Sequence, residues 1–160
     1  MKSAPRFICP LIVVADIARS REFYEGVLKQ EVIFDFGENV TFRGNFAIHL
    51  KTHYQALIDR KEITTGSNNG ELYFEYDDVE ALTLRVKASG ATFVHELREQ
   101  PWRQRVVRFY DPDMHIVEIG ESMEYLAFRL FKEGKGIAEI SGIIYMPEDA
   151  VKAAIEKYKE

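Results

Sequence analysis

Five residues able to recognise a ligand crowd one short stretch of this chain: Trp102, Gln104, Arg105, Arg108 and Tyr110. An aromatic ring beside two guanidiniums can hold an anionic or planar substrate through cation–π contact and bidentate hydrogen bonding. The same residues have a plainer use, in which the arginines pair with surface carboxylates and Trp102 packs its loop down. Alternation gives opposite faces only to immediate neighbours, so whether Arg105 or Arg108 faces a cavity stays open. Two carboxylates, Glu71 and Glu118, lie in strand-like segments on either side of the cluster. In a partly dry cleft such a pair repels unless a cation, a proton or an arginine stands between them. That combination makes either a metal site or a general acid/base site.

The elements that must position these groups can be read in order. Residues 7–14 are an apolar, β-branched run of strand length, with Pro10 confined to a place whose N–H needs no partner. Asp16 offers a helix cap, and Phe23, Val27 and Leu28 recur at helical spacing, which predicts a helix over 18–29. Short strands are expected at 31–36, 39–43 and 45–50, with turns at Gly37 and Gly44-Asn45, then a short helix within 52–63. The stretch 64–70, Thr-Thr-Gly-Ser-Asn-Asn-Gly, is the clearest loop. The programme then restarts: a strand over 71–76, a helix from Val79 that stops at Ser89-Gly90, and strands at 91–97, 104–110 and 114–119. Asp111-Pro112-Asp113 forms the tight turn between the last two.

The two halves superimpose in sequence. An offset of 62 carries Asp16-Ile17 onto Asp78-Val79 and Cys9 onto Glu71, and extra residues around 100–104 bring His49 onto Glu118 at an offset of 69. A duplication with a pseudo-twofold relation accounts for the order of elements.

With 160 residues, 46% hydrophobic, the chain has the size of one ordinary domain able to bury a core. A net charge of −5 without a basic cluster argues against nucleic acid as a partner. Cys9 is the only cysteine, which fits a reducing compartment, and the apolar run after the first residues is too short for a membrane span. A cytoplasmic protein with no membrane partner is the expectation.

The string from Pro101 through Asp111-Pro112-Asp113-Met114 to Glu118 and Glu121 resembles the close of the second module in the vicinal oxygen chelate superfamily, which holds glyoxalases, bleomycin-resistance proteins and dioxygenases. Val14 to Tyr24 resembles the opening of the first module, and Glu75-Tyr-Asp-Asp-Val79 the matching point of the second. The resemblance spans residues 7–121 and implies an α+β fold: two βαβββ modules whose mixed sheets curl around a shared cleft, with 7–14 pairing against the second half. It implies a domain over 1–121, with halves 7–52 and 70–121, and a C-terminal helical extension over 122–160 packed on it. Met114 stands where this turn usually carries Gly, and a left-handed conformation would cost Met roughly 1–2 kcal/mol.

Carried over position by position, the superfamily's four metal-ligand places are Cys9, His49, Glu71 and Glu118. The usual pattern has His or Gln at the strand-start places and Glu at the strand-end places, so only Glu118 agrees outright. All four are capable ligands for a divalent Zn, Ni, Fe or Mn ion, which would act as a Lewis acid on neighbouring substrate oxygens. Alternatively Cys9 is a small buried hydrophobe and His49 a hydrogen-bonded wall residue. Glu71 and Glu118 are the candidate catalytic pair.

Three functions follow: a metal-dependent lyase, isomerase or oxygenase acting on a small oxygenated molecule; a metal-free drug- or metabolite-binding protein; or a regulatory module that uses its helical tail. The tail, counted from Glu121, carries eight acidic and six basic residues, so it reads as a cover, not a DNA-reading motif. Its apolar Leu126, Leu130 and Phe131 need burial, which suggests a homodimer.

Overall fold

A computed structural model describes residues 4–159; residues 1–3, at the start of the expected first domain, and residue 160 lie outside the described residues. The chain falls into two compact units, residues 1–70 with 110–115, and residues 71–109 with 116–160.

In the first unit, β1 (Leu11–Val14) leads into α1 (Ile17–Arg21), which runs on as a π-helix over Glu22–Val27; β2 (Val32–Asp35), β3 (Asn39–Phe42), β4 (Phe46–Leu50) and α2 (Lys51–Leu57) follow. The sheet order is β1-β4-β3-β2. β1 lies parallel to β4, with Val13 opposite His49, and the other pairs are antiparallel. The strand expected over 7–14 is shorter because Pro10 has no N–H to give; its carbonyl takes one bond, from the Ala47 amide at 3.1 Å. The expected pairing of this strand with the second half is corrected: its hydrogen-bonded neighbour is β4. Asp16 caps α1 through the Arg19 amide at 2.9 Å. The predicted single helix over 18–29 is broken in pitch, since the Leu28 amide reaches back five residues to the Phe23 carbonyl. The core holds Tyr24 against Phe42 and Phe46, with ring centroids 5.6 and 5.3 Å away.

Into this unit the second half inserts its tight turn. Asp111, almost fully buried, accepts from the Tyr24 hydroxyl at 2.8 Å and from the Asp113 and His115 amides at 2.9 Å each. Its other contact is His115 Nδ1 at 2.9 Å. Asp113 takes the Ala15 amide, Arg19 Nη2 and Ser20 hydroxyl at 2.9, 2.9 and 3.2 Å. Met114 does adopt φ of +66°, the left-handed conformation a Gly there would take freely. Its side chain is 41% exposed and loses little packing on removal. Met114→Gly should therefore stabilise the protein by about 1 kcal/mol, less the flexibility Gly adds to the unfolded chain. Chemical denaturation that places the variant below the wild type would show the turn to be unstrained.

In the second unit β5 (Glu71–Glu75), α3 (Val79–Ala88), β6 (Phe93–Glu99), β7 (Arg105–Tyr110) and β8 (Ile116–Gly120) repeat the pattern, in sheet order β5-β8-β7-β6. β5 is parallel to β8, with Tyr73 opposite Glu118 and Glu75 opposite Gly120. Asp78 caps α3 through the Ala81 amide at 3.1 Å, and α3 buries Val79, Leu82 and Val86 along one stripe. The fold is α+β, with two open, four-stranded mixed sheets.

Three helices follow: α4 (Met123–Lys132), α5 (Ile137–Ile144) and α6 (Glu148–Lys159). They enclose a core of their own, in which Leu126 and Leu130 meet Ile140, Ile144, Val151 and Ile155. Leu126 and Leu130 are thus buried within the chain, and the need for a partner subunit to cover them lapses. Phe131 stays 37% exposed, with the Lys159 ammonium 5.2 Å from its ring. Two polar joints tie these helices to the second sheet. Ser122 Oγ and Tyr158 Oη donate to Asp77 at 2.7 and 2.5 Å. Glu121, fully buried, accepts from Arg129 Nη2 at 2.6 Å and from the Arg105 amide and Nη2 at 3.0 and 3.1 Å.

Candidate functional site

β5 and β8 lie parallel with paired residues on the same side, so Glu71, Tyr73 and Glu75 share a face with Ile116, Glu118 and Gly120. On β7, Arg108 projects to this face. Its Nε donates to Glu71 at 2.9 Å and its Nη2 to Glu118, so one guanidinium bridges the two carboxylates. Its third nitrogen, Nη1, faces His95 Nε2 at 3.2 Å. His95 Nδ1 lies 2.8 Å from the Glu96 carbonyl, which can only accept. The proton of that imidazole therefore sits on Nδ1, and Nε2 offers a lone pair to the arginine.

Electrostatics separate the two carboxyls. Burial, then the hydrogen bond and charge of Glu71, push Glu118 up to about 7 against the pull of Arg108. Glu71 is also disfavoured by burial, but its hydrogen bonds from Arg108 and Glu118 outweigh that and hold it below the usual carboxylate range. Near neutral pH Glu118 can thus hold or release a proton beside an ionised Glu71.

Next to this centre stands a second group. Gln104, nearly buried, donates to the Tyr73 hydroxyl at 3.0 Å and the Glu121 carbonyl at 2.8 Å, and accepts from Trp102 Nε1 at 2.9 Å. It lies across Gly120, where a Cβ would meet its Nε2 at 2.7 Å, so only Gly leaves room for the amide. The amide sets both aromatic side chains, and Tyr73 and Trp102 remain partly exposed, at 48% and 41%. Burial raises the Tyr73 hydroxyl to about 12, so it stays a donor.

The other expected site residues go elsewhere. Arg105 turns away from Arg108's face and binds Glu121 and, on α3, Glu80. Tyr110 donates to Asn68 at 2.8 Å in the first unit. Cys9 lies in the extended segment before β1 and is half-buried. His49, on β4, accepts from Asn39 Nδ2 at its Nδ1 (3.2 Å), and its Nε2 is 2.7 Å from His53 Nδ1. Their ring centroids are 5.0 Å apart, about as far as that contact allows, so nitrogen faces nitrogen along one line. His53 Nε2 in turn lies 3.4 Å from Glu38. The line Asn39–His49–His53–Glu38 is consistent with a single tautomer, in which each Nε2 carries the proton.

As held, these side chains do not fit a divalent ion. Both His49 nitrogens have hydrogen-bond partners, and the carboxylates of Glu71 and Glu118 hold a guanidinium. Among the described residues no three His, Cys, Asp or Glu side chains stand close enough to hold a metal.

Sequence reasoning passed over His53, Asn39, Glu38 and His95. The first had a signal, since His49 and His53 stand four apart where a strand gives way to a helix. His95 had none, because its importance comes from register across β6 and β7.

A family model described as "Glyoxalase-like domain" matches residues 7–124. A solved protein of unknown function from Agrobacterium tumefaciens strain C58 is 41% identical, with a TM-score of 0.69, over 76% of this chain and 97% of that one. A fosfomycin resistance protein from Mesorhizobium loti is 20% identical at a TM-score of 0.56, covering 75% and 94%. A lactoylglutathione lyase from Agrobacterium tumefaciens is 22% identical at 0.56, covering 74% and 96%. The last two likenesses speak for the fold alone. Among curated proteins none matches the chain.

Proposed function

Because the chain belongs to the glyoxalase-like domain family, within the glyoxalase/bleomycin-resistance/dioxygenase superfamily, we propose that it binds a small planar organic molecule on the exposed face of β5 and β8 without a divalent metal. The observation that carries this reading is the Arg108 guanidinium between Glu71 and Glu118. A cation already neutralises the carboxylate pair, so nothing further is needed to hold them together. Both candidate guanidiniums are committed to carboxylates, which removes the basis for an anionic ligand. What stays open is a pair of aromatic faces, Tyr73 and Trp102, beside a group with two carboxylates and one guanidinium. That combination suits a flat ligand that stacks and presents a hydrogen-bond donor or a positive charge.

Trp102 is the only tryptophan, so its emission reports this face directly. Titration with planar amines should change it saturably, and Tyr73→Ala should weaken binding about tenfold. Elemental analysis of protein purified without chelator should find no stoichiometric metal. One divalent ion per subunit, lost in Glu118→Gln, would sink this reading and restore the metal-dependent lyase, isomerase or oxygenase.

A second reading is favoured by Glu118 alone. With its carboxyl at about 7 beside an ionised Glu71, the pair suits metal-free acid/base catalysis on the bound molecule. A cytoplasmic homodimer completes the proposal, supported by the single Cys9 and by exposed apolar residues Phe7, Ile8 and Leu11 leading into edge strand β1. Sedimentation against the 18.5 kDa monomer tests the assembly. No helix among the described residues is long and apolar enough to cross a membrane.

A further inference from the structure

We infer that the ligand of the β5–β8 face is elongated, a flat ring joined through a short chain to a terminal ammonium, and that the ammonium end enters a separate cavity where the end of β5 meets α4 and α6. The inference deepens the reading of that face as a site for a planar molecule and rests on it.

The cavity holds about 540 Å³, within the roughly 300–1,000 Å³ that small-molecule sites occupy. β5 gives it Glu75, the loop to α3 gives Tyr76 and Asp78, and the last turn of α6 gives Lys157 and Tyr158. Glu75 belongs to both places. It shares its face of β5 with Tyr73, about 6.6 Å back along the strand. Its Oε1 accepts from the Tyr73 hydroxyl at 3.1 Å. Trp102, Gln104, Tyr73 and Glu75 thus form one hydrogen-bonded line that runs from the aromatic pair into the cavity.

Four carboxylates and one ammonium line this cavity. Two of the carboxylates are spent within the wall: Asp77 accepts from Ser122 and Tyr158, and Glu124 pairs with Lys157. Glu75 and Asp78 are not. Among the described residues neither makes an ion pair, and each uses a single oxygen, Glu75 for Tyr73 and Asp78 for the Ala81 amide at 3.1 Å. Two uncompensated carboxylates at one cavity favour a cation. The walls decide its kind. The Arg85 guanidinium lies 5.9 Å from the Tyr76 ring centroid and the Lys157 ammonium 5.3 Å from that of Tyr158, so both rings are placed to face cations. An alkylammonium, apolar along its stem and charged at its tip, suits aromatic walls with carboxylates between them. A bare metal ion would leave most of the volume unfilled, and among the described residues no three acidic or histidine side chains converge to hold one.

Calorimetric titration of the full chain with benzylamine, 4-phenylbutylamine and 4-phenylbutanol tests this. The last two share one chain and differ in charge at the tip. In 4-phenylbutylamine about five bonds of roughly 1.5 Å separate ring from nitrogen, enough to cover the step from Tyr73 to Glu75. It should bind about tenfold more tightly than benzylamine or the alcohol. Glu75→Gln with Asp78→Asn keeps both hydrogen-bond acceptors, the helix cap included. That variant should erase the advantage and leave benzylamine within about twofold of its wild-type affinity. Circular dichroism checks its folding, and Glu75→Gln alone serves if the double variant does not fold. Equal affinity for the long amine and its alcohol, or an advantage that survives in the folded variant, would overturn the inference while the reading of the face stands. A long amine that binds through Glu75 but is indifferent to Tyr73→Ala would overturn the reading of the face, and the inference with it.

Discussion

Glu121→Ala should cost about 5 kcal/mol, lowering the thermal midpoint by roughly 10–20 °C. Glu121 is fully buried and follows β8 directly, where two arginines from different elements converge on it. Arg105 comes from β7, and Arg129 comes from α4. Removing this carboxylate leaves two half-buried guanidiniums with only the more exposed Glu80, Glu99 and Glu133, and an Arg105 amide without its acceptor at 3.0 Å, which is the costly way to break a buried pair. Arg129 also holds the Arg103 carbonyl at 2.6 Å, so its displacement loosens the approach to the Trp102 loop. Glu121→Gln keeps the shape but answers only one cation and should recover little. The double variant Glu121→Ala with Arg129→Met should cost less than the two single changes summed, because the repulsion disappears with the second cation. Urea unfolding within 1 kcal/mol of wild type for Glu121→Ala would show that the buried carboxylate is not what ties the helices to the sheet.

Asp111→Ala is the second large effect, at about 4 kcal/mol, because the buried Tyr24 hydroxyl and two turn amides lose their acceptor together. The pair it makes with His115 also has a pH signature. For Asp111, burial opposes ionisation, but the hydrogen bonds and charge of His115 and the Tyr24 hydroxyl outweigh it and lower the carboxyl. That contribution is present above the ordinary aspartate range and is lost as pH falls through the lowered value. His115 is likewise opposed by burial, yet Asp111 raises its imidazole above 6.5. Its contribution is full below the unfolded histidine value and fades as pH rises through the raised one. The pair therefore stabilises most in mildly acidic solution. His115→Gln should flatten the loss of stability on the alkaline side and leave the acid side in place. A His115→Gln profile parallel to wild type above pH 6.5 would rule out this linkage.

Much of the fold was legible because it was written twice. The order strand–helix–strand–strand–strand, the cap at Asp16 and the stop at Gly90 are local chemistry, and the structure has each of them, with a second cap at Asp78 that the sequence reading left unremarked. The π-pitched segment over Glu22–Val27 was not legible, since Phe23, Val27 and Leu28 suit a regular helix equally well. For the site, the sequence singled out Glu71, Glu118 and Arg108, and the structure brings those three together. It could not reveal that Arg108 was the partner of both, because alternation assigns a face but not a neighbour two strands away. Arg105 and Arg108 look alike in sequence, yet one serves the buried Glu121 and the other the exposed face. Only the register of β7 separates those fates.

The turn at residues 111–115 joins β7 to β8 of the second half, yet its carboxylates serve the first. Asp113 receives the amide and side chains that open α1, and Asp111 receives the hydroxyl at the centre of that unit's aromatic core. The two halves, alike in their order of elements, are therefore not interchangeable: the first needs the carboxylates of the second's turn. A recombination that swapped in a second repeat without Asp111 and Asp113 would harm the first repeat's helix, far from the crossover in sequence. A change in the second half's turn is therefore a change in the first half's stability.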